Sequence, residues 1–189
     1  MPEIHQHFVV ERRADDVWDF FQDIPRVAEC MPGVELTEVR GDGSYAGNMK
    51  VKLGPIAASF QGDAHIGELD RANKKGTFTA KGVDRQGGNR ASADVTYVLA
   101  PENGSTKVEV QANLMLQGAL AQFGRTGLIQ EVSARMTGEF ARCLQAKLMS
   151  KSSEEAAAVR APDVKGFTLF FASIWSWLKS KFQRDRGKG

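Results

Sequence analysis

Three histidines, two cysteines and a run of aspartates are the side chains most able to do chemistry in this chain, and their spacing limits what each can do. His5 and His7 stand two apart, so on a strand they share a face, and only His65 is left to join them; solvent-facing strand histidines are expected, and no metal site. Asp15, Asp16, Asp19 and Asp23 fall in one short stretch of helical spacing, where the helix dipole and solvation account for them better than a carboxylate pair built for acid–base work. Cys30 and Cys143 are 113 positions apart with no CxxC spacing. That pattern predicts free thiols, packed as small hydrophobes, in a reducing compartment. Gly124 and Gly127 give a GxxG spacing inside a helical pattern, which predicts close helix packing, and neither a P-loop nor a GxGxxG is present. No catalytic residue is assigned.

The other chemistry on offer is apolar and lies at the C-terminal end. Phe167, Phe170, Phe171, Ile174, Leu178 and Phe182 follow helical spacing, with Trp175 and Trp177 beside them and Lys179, Lys181, Arg184, Arg186 and Lys188 after them. The uncharged stretch 166–178 has 13 residues, short of the roughly 17–25 that span a bilayer, so the tail is expected to lie on a membrane surface and not to cross it. Each Lys or Arg beside anionic lipid adds on the order of 1 kcal/mol. A groove on a partner protein, or the chain's own domain, is the other surface such a stripe fits.

Composition agrees with this division. Residues 1–149 carry 17 Lys and Arg against 19 Asp and Glu, while residues 150–189 carry 8 against 4, so the formal net charge of +2 comes from the tail. A domain of net charge −2 disfavours nucleic acid as a partner. Hydrophobic residues at 42 % and charged residues at 25 % suit one folded domain. The first residues show no basic and apolar leader, which predicts a cytoplasmic protein. Residues 150–163, poor in large apolar groups, are expected as a flexible linker between a domain at 1–149 and a tail at 164–189.

Within the domain, residues 3–10 read as a strand and residues 14–21 as a short helix. Pro25 restarts a second helix that the turn Met31-Pro32-Gly33 ends, because Pro32 disfavours helix at Met31. Six segments near 34–40, 45–53, 58–69, 75–83, 89–100 and 105–116 then alternate apolar and polar, separated mostly by Gly, Pro and Asn turns, and predict an antiparallel meander. From 119 to 149 the period returns to helical, predicting one long amphipathic helix for the sheet to close on. The fold class is therefore α+β. In one register the inward face reads Tyr45, Gly47, Met49, Val51, Leu53; Phe60, Gly62, Ala64, Ile66; Phe78, Ala80, Gly82; Ala91, Ala93, Val95, Tyr97, Leu99; Val108, Val110, Ala112, Leu114, Leu116. With so many Gly and Ala there, the concave side either receives large helix side chains or keeps an apolar pocket.

Several motifs together resemble the carbon monoxide dehydrogenase G-subunit family of the START-like helix-grip (SRPBCC) superfamily. They are CMPGV at 30–34, MKVKLGPI at 49–56, FQG at 60–62 and GALAQFG at 118–124, in the family's order over about residues 1–148. The resemblance implies a curved seven-stranded antiparallel sheet wrapped around a long C-terminal helix, with the tail as an added amphipathic helix. It also implies a non-catalytic accessory protein, peripheral on the cytoplasmic face of the cell membrane, that recruits a molybdenum-containing dehydrogenase and binds the respiratory quinone, menaquinone or ubiquinone, that takes its electrons. On that reading the ligand is lined by Met31 at the mouth, by Met49, Val51, Phe60, Ala64, Phe78, Val95, Tyr97 and Leu114 of the sheet, and by Phe123, Gly127, Leu128, Val132, Met136 and Phe140 of the helix. Tyr97 would donate a hydrogen bond to a quinone carbonyl. Membrane binding would fall to Phe167, Phe170, Phe171, Ile174, Trp175, Trp177, Leu178, Lys179, Lys181, Phe182 and Arg184. A carrier of lipid or another hydrophobic molecule, or a small cyclase-like enzyme, would use the same cavity.

Overall fold

The structure, a computed structural model, describes residues 2–53, 56–125, 127–150 and 158–161. Its elements are β1 (Glu3–Val10), α1 (Ala14–Gln22), α2 (Ile24–Cys30), β2 (Val34–Val39), β3 (Ser44–Leu53), β4 (Ile56–Asp70), β5 (Lys75–Asp84), β6 (Asn89–Glu102), β7 (Ser105–Gln117), a 3-10 helix (Gly118–Arg125) and α3 (Leu128–Met149). All seven strands form one antiparallel sheet in the order β1-β7-β6-β5-β4-β3-β2. The meander pairs each strand with the next, and β1 closes onto β7 in the register Ile4 opposite Ala112 and Phe8 opposite Val108. The alternation predicts the α+β meander, and the resemblance implies the seven-stranded sheet gripping a C-terminal helix; the structure has both.

The pairing reproduces the inward register. Tyr45 lies opposite Ala64, Ala64 opposite Ala80, Ala80 opposite Ala93 and Ala93 opposite Leu114. Gly47, Gly62, Gly82, Ala91 and Leu116 make the next row in the same way. Because side chains on a sheet face alternate with period two, these rows share the concave side.

One end of the grip is closed by α1 and α2. Val17, Trp18, Phe20 and Phe21 of α1 are buried, each contributing about 1.5–3 kcal/mol by leaving water. Asp15 and Asp19 on its outer side pair with Lys74 and Arg71 of the β4–β5 turn. Asp23 accepts a hydrogen bond from the Arg26 amide at 3.3 Å and so caps α2, which carries Pro25 in its first turn, where a missing N–H costs nothing.

At the opposite end the expected single helix over 119–149 is interrupted. A 3-10 helix occupies Gly118–Arg125 and α3 starts only at Leu128. Gly118 has φ +80°, and a Cβ there would lie 2.8 Å from Asn89 Oδ1 and from the Gly88 carbonyl, so the chain turns here only as glycine. Gly124 and Gly127 lower helix propensity at the break. Asn89, 2 % exposed, holds the turned chain: its Oδ1 accepts from the Leu120 amide at 3.2 Å, and its Nδ2 donates to Asp84 Oδ2 at 2.9 Å.

The expectation of free cysteines is wrong. Cys30 and Cys143 form a disulfide, with their Cα atoms 5.3 Å apart, joining α2 to α3. Their distance along the chain concealed a contact that exists only once the long helix lies back over the second short one.

Candidate ligand-binding groove

The buried apolar residues fall into two clusters, and the lining predicted from sequence is divided between them. The first, at the α1–α2 end, is built on Val10, Trp18, Phe21, Tyr97, Leu99 and Phe140 among others, with Met31 and Phe78 partly buried against it. The second, at the 3-10 end, is built on Ile4, Phe60, Ala112, Leu120 and Ile129, with Met49, Val51, Val95, Leu114, Phe123, Leu128 and Val132 partly buried against it. Ala64 and Met136 belong to neither, although both are half-buried. Gly127 is exposed, and a Cβ added to it would meet nothing within 4 Å.

Between the clusters runs the band of small residues. Gly62, Ala64, Ala80, Gly82 and Ala93 face inward, yet each is only half-buried, and none is counted in either cluster. An inward alanine in a close-packed interior would be covered, so Ala64, Ala80 and Ala93 are left with room above them, whereas Gly82 is covered by the Phe60 side chain, which a Cβ there would meet at 3.0 Å. Gly62 is also required by the neighbouring strand, since a Cβ there would run into the Lys81 carbonyl of β5. Leu128, Val132, Met136 and Phe140 repeat every four residues along α3, with Leu128 and Val132 packed on the cluster at the 3-10 end and Phe140 in the one at the α1–α2 end, so the stripe spans the two.

Tyr97 packs into the α1–α2 end. It is 7 % exposed, its ring centroid lies 4.9 Å from Phe21 and 6.2 Å from Trp18, and it covers Gly76, where a Cβ would strike the ring. Burial raises the pKa of its hydroxyl, and a hydrogen bond with Gln22 of α1 acts the other way. Phe140 likewise makes edge contacts with Phe8 at 5.9 Å and Phe21 at 6.0 Å. Tyr97 and Phe140 thus form the wall at the α1–α2 end.

Sequence reasoning overlooked one polar feature of the helix stripe. Glu139 follows Met136 by three residues and Val132 by seven, its side chain is 12 % exposed, and it accepts from Arg135 Nε at 3.0 Å. The helical spacing was the available signal. The strand alternation names Ala80, Gly82 and Ala93 as inward-facing without assigning them to the lining.

The histidines do not converge. His5 and His7 are exposed on β1, His5 Nε2 standing 3.1 Å from Glu3 Oε1, while His65 is on β4, with β7, β6 and β5 between. His5 and His7 flank a shallow outer depression of about 290 Å³ with Thr96, Val98, Glu109 and Gln111. Among the described residues no helix is long and apolar enough to cross a membrane. The expected membrane-binding residues from Phe167 to Arg184, and most of the expected linker, lie outside the described residues.

The family model for CoxG, the carbon monoxide dehydrogenase G-subunit, matches residues 7–149, from β1 to the end of α3. The chain belongs to the CoxG family. No curated protein sequence matches it significantly. Among solved structures it is similar to a conserved protein from Geobacillus kaustophilus, at 13 % identity and a TM-score of 0.63 over 76 % of this chain and 95 % of that one. It is also similar to the Zhui aromatase/cyclase from Streptomyces sp. R1128, at 14 % identity and 0.53 over 77 % and 92 %. A truncated norcoclaurine synthase from Thalictrum flavum matches at 14 % identity and 0.50 over 79 % and 94 %. At these identities the likeness concerns the fold, the START-like helix grip. What distinguishes the CoxG chain on that fold is the match over 7–149 together with its own side chains.

Proposed function

We propose that this CoxG-family chain is the membrane-recruiting accessory subunit of a molybdenum-containing, carbon monoxide dehydrogenase-type enzyme, and that its groove holds the respiratory quinone to which that enzyme passes electrons. The protein supplies binding and delivery, and the redox chemistry belongs to the partner. The observation that carries the reading is the row of half-buried inward alanines, Ala64, Ala80 and Ala93, between two packed clusters that the α3 stripe spans: an apolar slot there suits a flat ring with a prenyl chain. The apolar and basic composition of 164–189 supports docking on an anionic membrane surface, beside the bilayer in which quinone is dissolved. The family description supports the dehydrogenase as partner.

Organic extraction of the purified full-length protein, followed by mass spectrometry, tests the ligand. A respiratory quinone in near-stoichiometric amount is expected. Phospholipid or fatty acid in its place would make the chain a lipid carrier, and an empty groove after expression in a quinone-containing host would remove the ligand assignment.

A further inference from the structure

The chain beyond α3 does not simply leave the domain. Residues 158–161 return to α2 and are held there by three separate contacts. The Ala161 amide donates to the Glu29 carbonyl at 3.0 Å, Arg160 Nη2 stands 3.8 Å from Glu29 Oε1, and Val159 packs against the cluster that also takes Met31 and Leu148. The other Glu29 oxygen, Oε2, accepts from Lys147 Nζ at 2.6 Å, and the neighbouring Cys30 is bonded to Cys143, so the seat is built on a cross-linked helix pair. Glu29 is its hub.

The same corner includes the start of α1. The Glu11 amide donates to Gln145 Oε1 at 2.8 Å, and Arg12 Nε donates to the Leu148 carbonyl at 3.1 Å. Exposed around it are Arg13, Arg160 and the apolar Met149. From Ala161 to Val164, where the amphipathic sequence begins, three residues reach at most roughly 10 Å.

We infer that residues 158–161 are a strap fixing the start of the C-terminal segment to α2, so that an anionic lipid surface taking up that segment meets the domain at the corner of α2, the β1–α1 junction and the end of α3. This rests on the membrane-recruiting reading and adds to it a fixed orientation. The α1–α2 end, with Met31, faces lipid, and the 3-10 end, with the Asn89 bracket, faces away. Arg13 and Arg160 meet lipid phosphate, and Met149 meets the acyl boundary.

Hydrogen exchange of the full chain, with and without phosphatidylcholine–phosphatidylglycerol vesicles, tests the orientation. Bound protein should exchange on the order of tenfold more slowly at 11–13, 24–31, 145–149 and 158–161, with 85–88 and 118–125 unchanged. Protection at 85–88 and 118–125, or confined to residues beyond 161, would overturn the orientation while leaving the anchor intact; failure to sediment with the vesicles would remove both. The Ala161→Pro variant deletes the strap's amide donor and leaves the tail sequence whole. It should still sediment but lose the protection at 11–13 and 24–31, and protection unchanged in this variant would overturn the strap.

Discussion

Lys147 of α3 is buried, its side chain 1 % exposed, and its ammonium lies 2.6 Å from the Glu29 carboxylate of α2, one helical turn beyond the disulfide from Cys143 to Cys30. A cation so placed is tolerated because the carboxylate is in contact with it. Removing that carboxylate leaves the desolvation of the ammonium poorly compensated, so Glu29→Ala should lower stability by about 3 kcal/mol, within the usual cost of breaking a buried pair. Glu29→Gln, which keeps a polar partner, should cost less. Urea unfolding of the two variants checks this, and equal, near-zero losses would refute it.

The disulfide closes a loop of over a hundred residues, since its cysteines are 113 apart in sequence. Cross-links over loops of that size restrict the unfolded chain by up to about 4–5 kcal/mol. The urea midpoint should therefore fall when reductant is added, whereas the Cys30→Ser, Cys143→Ser double variant should unfold at one midpoint with or without it. Matching midpoints for the untreated and reduced protein would show that the bond contributes nothing to stability.

Reading this chain from its sequence succeeds where the information is periodic. The alternation from Ser44 to Gln117 fixes which residues face inward, because a slip of one would place Tyr97, Val95 and Leu99 in water, and the strand pairs follow that register. What depends on contacts between remote segments was not legible. Nothing local to Cys30 announces Cys143, nothing local to Tyr97 announces that Gln22 reaches its hydroxyl, and nothing in Val159 announces the strap. The break before α3 is an intermediate case: the glycines that cause it are visible at 118, 124 and 127, but the apolar spacing that runs across them points to one continuous helix despite their low helix propensity.

The bracket at the 3-10 end depends on pH. The carboxyl of Asp84 titrates below the usual aspartate range because it accepts hydrogen bonds from the Asn89 side chain and from the Gly87 amide. A carboxylate whose folded pKa is lowered contributes stability that is complete above its unfolded value, near 4, and is lost as the pH falls through the folded one. Acidification below about pH 4 should thus loosen 85–89 and 118–120. Asp84→Asn should lose the component of acid sensitivity that exchange rates at 118–120 report. If acid left those rates unchanged in the parent protein, the bracket would not depend on the charge.

Filling the groove separates an open slot from a packed core. Ala93 lies between Ala80 and Leu114 in the inward row and is half-buried, so a larger side chain there should find space in place of neighbours. In a close-packed interior Ala93→Leu would cost about 1–3 kcal/mol through forced rotamers and backbone shifts. In an open slot it should be neutral or stabilising, because it buries new apolar surface at roughly 25 cal/mol per Å² without displacing anything. It should at the same time exclude a ring from the band, so the extract should lose its quinone while far-ultraviolet circular dichroism and vesicle sedimentation stay as they were. Ala80→Leu, one strand away in the same row, should do likewise. Lower stability in both variants with the ligand retained would mean that the space over the band is already taken by protein, and that whatever the chain carries is held elsewhere.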